Sequence, residues 1–76
     1  MAQLELYGTS SCPYTQEMRE WLEFRGQDFV EYDVEEDRAA YARMLELSGG
    51  QRMVPILIED GKLRQSGWQG RGCAVG

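Results

Sequence analysis

The sequence predicts a small α/β domain in which strand, helix, strand and helix are followed by two further strands. Three observations carry this. Short runs of alternating apolar and polar residues fall at Gln3 to Tyr7 and Phe29 to Val34. Two stretches of helical period lie behind them, each closed by glycine, at Gly26 and at Gly49-Gly50. Late in the chain a β-branched apolar run, Met53-Val54-Pro55-Ile56-Leu57-Ile58-Glu59, meets the hairpin signal Asp60-Gly61. A strand, a helix and a second strand imply a right-handed crossover, so the first two strands should run parallel.

The elements follow in order. Leu4 and Leu6 give the first strand one apolar side, and Gly8 ends it. From Pro13 to Arg25, Met18, Trp21 and Leu22 recur at helical spacing, with Glu17, Glu20 and Glu23 facing solvent. That stripe reads as core, and Arg19 and Glu23, four apart, read as a surface pair. Gly26 supplies the left-handed stop. After the second strand, Glu35-Glu36-Asp37 stand at a helix start, where acidic groups meet the positive end of the dipole. Ala39, Ala40, Met44, Leu45 and Leu47 carry that helix to Ser48-Gly49-Gly50. Lys62 to Ser66 is the returning strand of the hairpin. A proline opening a buried strand cannot donate to its ladder, so Pro55 marks either the edge where the strand begins or a cis peptide. Beyond Ser66, three glycines in six positions, Gly67, Gly70 and Gly72, argue against a third helix. Residues 1–76 thus read as one domain with a glycine-rich tail over 66–76.

Composition limits the function. A chain of 76 residues buries only about 60% of its unfolded surface, too little to enclose a large substrate cavity. With 13 acidic against 8 basic residues the net charge is −5, and no basic stripe offers itself to nucleic acid or an anionic membrane. Met1 leads directly toward the first strand and no run has the length of a signal or membrane segment, so a cytoplasmic monomer is expected. Two cysteines are too few for a secreted disulfide scaffold, and the absence of histidine leaves no zinc site held by this chain alone. No cofactor is expected.

The stretch Ser10-Ser11-Cys12-Pro13-Tyr14-Thr15 carries the chemistry. Proline at the first helical position loses no hydrogen bond and fixes where the helix begins. If Cys12 caps that helix, its sulfur faces the unpaired amides of the first turn, which stabilise a thiolate. Helix N-termini lower a cysteine pKa from about 8.5 into a range of roughly 3.5–7.5. Thr15, three past the cap, is placed to turn its hydroxyl toward the sulfur. The plainer reading of Cys12 is a buried cysteine acting as a small hydrophobe.

At Cys12-Pro13-Tyr14-Thr15, Ser48-Gly49-Gly50 and Met53-Val54-Pro55 the sequence resembles the glutaredoxins, over about Gln3 to Trp68. The resemblance implies a thioredoxin-like fold: a four-stranded mixed sheet in the order 2-1-3-4, its third strand antiparallel, and a cis peptide before Pro55 facing the catalytic sulfur. It implies a thiol–disulfide oxidoreductase in which Cys12 attacks a mixed disulfide, with glutathione or protein disulfides as partners. Several positions depart from the family pattern. Thr15 stands where dithiol members have a second cysteine, so the resemblance implies monothiol chemistry. Thr9 replaces a lysine, Met53 a threonine, and Ser66-Gly67-Trp68-Gln69 the glutathione-binding pair of glycines and aspartate. Tyr14, Arg52 and the backbone of Met53, Val54 and Pro55 remain as substrate contacts. Ser66-Gly67-Trp68 is similar to the ending of the glutaredoxin-like hydrogen donors of ribonucleotide reductase. That adds Gly67 and Trp68 as contacts and a thioredoxin-reductase-type electron donor as a partner. Two rival roles stay open: an iron–sulfur cluster module of the monothiol glutaredoxin type, and a redox-inert adaptor.

On that topology the fourth strand runs with the first, so Cys12 and Gly67 share one edge of the sheet. Cys73 lies six residues beyond Gly67, a reach of at most roughly 20 Å. Cys73 can therefore approach Cys12 and resolve a mixed disulfide there; the alternative is a tail thiol without a role. The missing helix leaves a small apolar patch covered by Trp68 and the tail.

Overall fold

The computed structural model describes residues 3–75. Along the chain it contains β1 (Leu4–Gly8), α1 (Pro13–Phe24), β2 (Phe29–Asp33), α2 (Arg38–Ser48), β3 (Met53–Val54), β4 (Ile56–Glu59), β5 (Lys62–Ser66) and β6 (Cys73–Ala74). The main sheet has the order β2-β1-β4-β5. β1 pairs parallel with β2, from Leu4 opposite Phe29 to Gly8 opposite Asp33, and antiparallel with β4. β4 and β5 form the expected antiparallel hairpin around Asp60-Gly61, with a register shift between Leu57 and Ile58.

Two expectations need correction. The run 53–59 is not one strand: Pro55, which has no N–H to give a ladder, divides it into β3 and β4. The Val54–Pro55 peptide is cis. The tail is not free chain either, because β6 pairs antiparallel with β3 in a second, two-stranded sheet.

Alternation along β1 sorts the core into two layers. Leu4 and Leu6 turn to one face and pack with Met18 and Leu22 of α1 and Leu57 of β4. Burying each such side chain is worth about 1.5–3 kcal/mol. Tyr7 turns to the other face and joins Ala40, Tyr41 and Met44 of α2 with Val34, Val54, Ile56 and Ile58. Every residue of β1 is buried, as befits a central strand. Glu5, on the α2 face, is buried as well, and it accepts a hydrogen bond from the Tyr7 hydroxyl at 2.6 Å and one from the Arg43 guanidinium at 3.3 Å. Burial, reinforced by the Glu5 carboxylate, pushes the Tyr7 phenol well above its ordinary pKa. The Tyr7 ring stacks on Tyr32 with centroids 5.1 Å apart.

The helix ends follow local chemistry. Gly26 at φ 69° stops α1. Of the three acidic residues before α2, Asp37 alone caps it, accepting from the amides of Ala39 and Ala40 at 3.1 Å each. The Glu35 and Glu36 amides instead bond the Asp33 carboxylate in the preceding turn. Arg19 pairs not with Glu23 but with Glu31, through two 2.7 Å hydrogen bonds that tie α1 to β2. Among the described residues no helix follows Ser48 and none is long and apolar enough to cross a membrane. Over the α1 layer Trp68 from the tail lies 5.7 Å from Trp21.

Candidate active site

The central strand leads to Cys12 at the head of α1. β1 ends at Gly8, the buried Thr9 begins the loop, and the Cys12 amide donates to the Thr9 carbonyl at 3.4 Å. Cys12 is the N-cap of α1 with extended backbone angles, and Pro13 is the first helical residue, as the sequence required. The cap side chain takes no hydrogen bond from the first turn. The leading amides of that turn have no partner within the helix, and their partial charge points at the cap position.

The Cys12 sulfur is bonded to Cys73 in a disulfide, with Cα atoms 6.0 Å apart. Cys73 arrives by a defined path. The Gly67 amide donates to the Pro55 carbonyl at 2.7 Å, and Trp68 and Arg71 exchange backbone bonds of 2.6 and 2.9 Å that turn the chain back. β6 then pairs with β3, Cys73 opposite Val54 and Ala74 opposite Met53, and the Val75 amide donates to the Arg52 carbonyl at 3.0 Å. The approach is close enough that a Cβ on Gly72 would stand 2.6 Å from the Val54 carbonyl oxygen. Only glycine fits there.

This arrangement gathers Cys12, Cys73, Val54 and, at its margin, Tyr14 and Met53 in one cluster. Pro55 is fully buried behind Val54, and Gly67 is bonded to it. Arg52 is exposed beside the last tail bond, and Met53 accepts at Sδ from the Ser66 hydroxyl at 3.7 Å. Ser66 also donates to the Gln51 side chain.

Cys12 is 2% exposed. One expectation about the site fails. Thr15 does not reach the sulfur. Its side chain packs against Gly8, and its hydroxyl is buried without a hydrogen-bond partner. Trp68 packs into the α1 layer with Trp21, while Cys12 belongs to the α2 layer. Sequence reasoning missed Gly72 and β6. The signal was present in Cys73-Ala74-Val75, a short apolar run after a glycine, but three residues at a chain end are too few to read as a strand.

A parallel strand pair, an antiparallel hairpin, a cis-proline beside a helix-capping cysteine and flanking helices define a thioredoxin-like α/β protein. Solved structures agree. The chain superposes on a point mutant of the thioredoxin-like protein BC3987 with a TM-score of 0.78 at 29% identity, covering 87% of this chain and 82% of that one. It shares its fold with a glutaredoxin from Archaeoglobus fulgidus, at a TM-score of 0.75 and 24% identity over 91% of this chain and 78% of the other. The glutaredoxin family model matches residues 4–64. A glutaredoxin-like 8.6 kDa protein encoded in the rubredoxin operon of Clostridium pasteurianum, described as uncharacterized, is 32% identical over 60 residues, 79% of each chain. A probable glutaredoxin of Synechocystis is 33% identical over 78% of this chain and 68% of its own. The chain belongs to the glutaredoxin family of thiol oxidoreductases.

Proposed function

We propose that this protein is a thiol–disulfide oxidoreductase in which Cys12 attacks a disulfide substrate and Cys73 resolves the resulting mixed disulfide. The observation that carries the reading is the Cys12–Cys73 bond itself, one partner at a helix N-cap and the other on a strand paired beside it. In the reduced protein the Cys12 thiolate, held by the amides of the first helical turn, attacks one sulfur of R–S–S–R′ and expels R′–S⁻. The Cys73 thiolate then attacks the Cys12 sulfur, expels R–S⁻ and closes the protein disulfide. Two electrons have passed to the substrate, and an external thiol restores them. Thr15 cannot resolve, so the second sulfur comes from the tail, and the monothiol sequence at 12–15 works with a distant partner.

Substrates are glutathione mixed disulfides or protein disulfides. The backbone of Met53, Val54 and Pro55 forms the wall beside the sulfur, Tyr14 flanks it, and Arg52 supplies a cation for a carboxylate. The electron donor is glutathione or a thioredoxin-reductase-type protein, and a reducing compartment such as the cytoplasm suits the cycle.

The experiment is reduction of a small glutathione mixed disulfide, followed with each cysteine replaced. Cys12→Ser should abolish turnover. Cys73→Ser should retain the first attack and accumulate protein bearing the substrate thiol on Cys12. Activity surviving Cys12→Ser would overturn the assignment.

A further inference from the structure

The disulfide presents its two sulfurs unequally, and we propose that reducing equivalents enter it at Cys73, with Cys12 leaving as the thiolate. The inference rests on reading the Cys12–Cys73 pair as the working redox couple. Rates of thiol–disulfide exchange depend on access to the attacked sulfur and on how readily the other departs. Both factors favour attack on Cys73.

Access comes first. Cys12 is 2% exposed and belongs to the apolar cluster that includes Tyr7, Val34, Met44 and Val54, so it offers an incoming thiolate almost no surface. Cys73 is partly exposed and lies between Gly72 and the exposed Ala74, neither carrying more than a methyl group. Departure points the same way. Cys12 is the N-cap of a 12-residue helix whose first amides can meet the developing negative charge, whereas Cys73 sits in a two-residue strand with no helix behind it. The lower-pKa thiol leaves faster.

The step balances as follows. A thiolate R–S⁻, from a low-molecular-weight thiol or a protein thiol, forms a bond to the Cys73 sulfur while the bond to Cys12 breaks, giving R–S–S–Cys73 and Cys12–S⁻. A second thiolate attacks the R sulfur, forming R–S–S–R and releasing Cys73–S⁻. The protein disulfide gains two electrons, the two thiols lose them, and the thiolates take protons from water as the pH dictates. After the first displacement the segment around Cys73 is held by the short β3–β6 pairing and the Val75–Arg52 hydrogen bond, so it can move off and uncover Cys12. Donor and substrate then meet different sulfurs: electrons arrive at Cys73 and leave from Cys12.

Rapid quenching tests this directly. Oxidised wild-type protein is mixed with mercaptoethanesulfonate, quenched in acid after milliseconds to seconds, alkylated at low pH and mapped by mass spectrometry. Extrapolated to zero time, the adduct should favour Cys73 over Cys12 by about tenfold, with Cys12 alkylated. An adduct appearing first on Cys12 overturns the proposal. A second measurement guards against migration of the adduct. Ala74→Glu places a carboxylate beside Cys73 at an exposed position, and should slow reduction by the anionic thiol about threefold relative to neutral mercaptoethanol. An unchanged ratio counts against attack at Cys73. Turnover that survives Cys12→Ser defeats the functional reading instead, and leaves the mapping of first attack to stand or fall by itself.

Discussion

Reducing the disulfide should cost this domain a large part of its stability. The bond joins residues 61 positions apart, so it closes nearly the whole chain into a loop. In the chain-entropy treatment a loop of that length removes about 14 cal/mol/K from the unfolded ensemble, or roughly 4 kcal/mol at room temperature. For a domain of this size each kcal/mol moves the melting temperature by about 4–8 °C, so the ceiling is a drop of roughly 15–30 °C. The folded side reduces this. Once the bond is cut, β6 retains only its two-residue pairing with β3 and the Val75–Arg52 hydrogen bond, so the tail regains freedom in the native state too. A drop of at least about 10 °C is expected. Thermal unfolding followed by circular dichroism, with and without a phosphine reductant, measures it. Cys73→Ser should melt with the reduced wild type and ignore the reductant. Oxidised and reduced melts coinciding within about 2 °C would show that the tail does not constrain the chain as the disulfide requires.

Three further outcomes follow from particular contacts. Gly8→Ala would drive a Cβ into the fully buried Thr15, 2.7 Å from its hydroxyl oxygen, and should destabilise by about 1–3 kcal/mol in denaturant titration. Adding Thr15→Ala should recover most of that loss. Trp68→Ala removes the ring that covers the α1 layer beside Trp21 and should cost about 2 kcal/mol, less than a fully buried tryptophan because Trp68 is half-buried. Alkylation of the reduced Cys12 thiol should keep its pH profile in that variant, since the ring lies in the other layer. Tyr7 is held neutral in the fold by burial and by Glu5. Its raised pKa contributes stability that is complete below the unfolded value near 10 and is lost as pH rises beyond it, at about 1.4 kcal/mol per pH unit. Urea midpoints taken across that alkaline range should fall more steeply for wild type than for Tyr7→Phe.

Where local signals agreed with tertiary need, the sequence was readable. Pro13 after Cys12 fixed the start of α1, Gly26 and Gly49 fixed two helix ends, and Asp60-Gly61 fixed the hairpin, because each acts within a turn of chain. Alternation in β1 likewise assigned Leu4 and Leu6 to one layer. The failures are all non-local. Arg19 chose Glu31 on a neighbouring strand over Glu23 on its own helix, since a bidentate bond between two rigid elements outcompetes an exposed helical pair. Thr15 faced Gly8 because the end of β1 leaves a gap for it there, and nothing in the sequence near position 15 reports on position 8. The β6 strand was hidden for the same reason: its two residues are strand only because the β3 edge, freed from the main sheet at Pro55, is available to pair.

That freed edge explains why the position of the second sulfur matters. A disulfide closed within the first turn of α1 would leave the rest of the fold unchanged in either redox state. Here the second sulfur rides on a strand that pairs along the Met53–Val54 backbone, and Cys12 is buried. In the oxidised protein the bond and the β3–β6 pairing are made together, so the tail occupies the Met53–Val54 backbone edge that the proposed substrate would use beside Cys12. Cutting the bond leaves that short pairing and the Val75–Arg52 hydrogen bond to hold the tail there. The glycines at 70 and 72 let the tail turn and lie close without obstruction, and Trp68, packed on Trp21, holds the base of that tail within reach of the site. The effective concentration of Cys73 at Cys12 is thus set by the four residues that tether it to Trp68. Shortening the tether from its Trp68 end should trap the mixed disulfide on Cys12, and lengthening it should slow resolution only gradually.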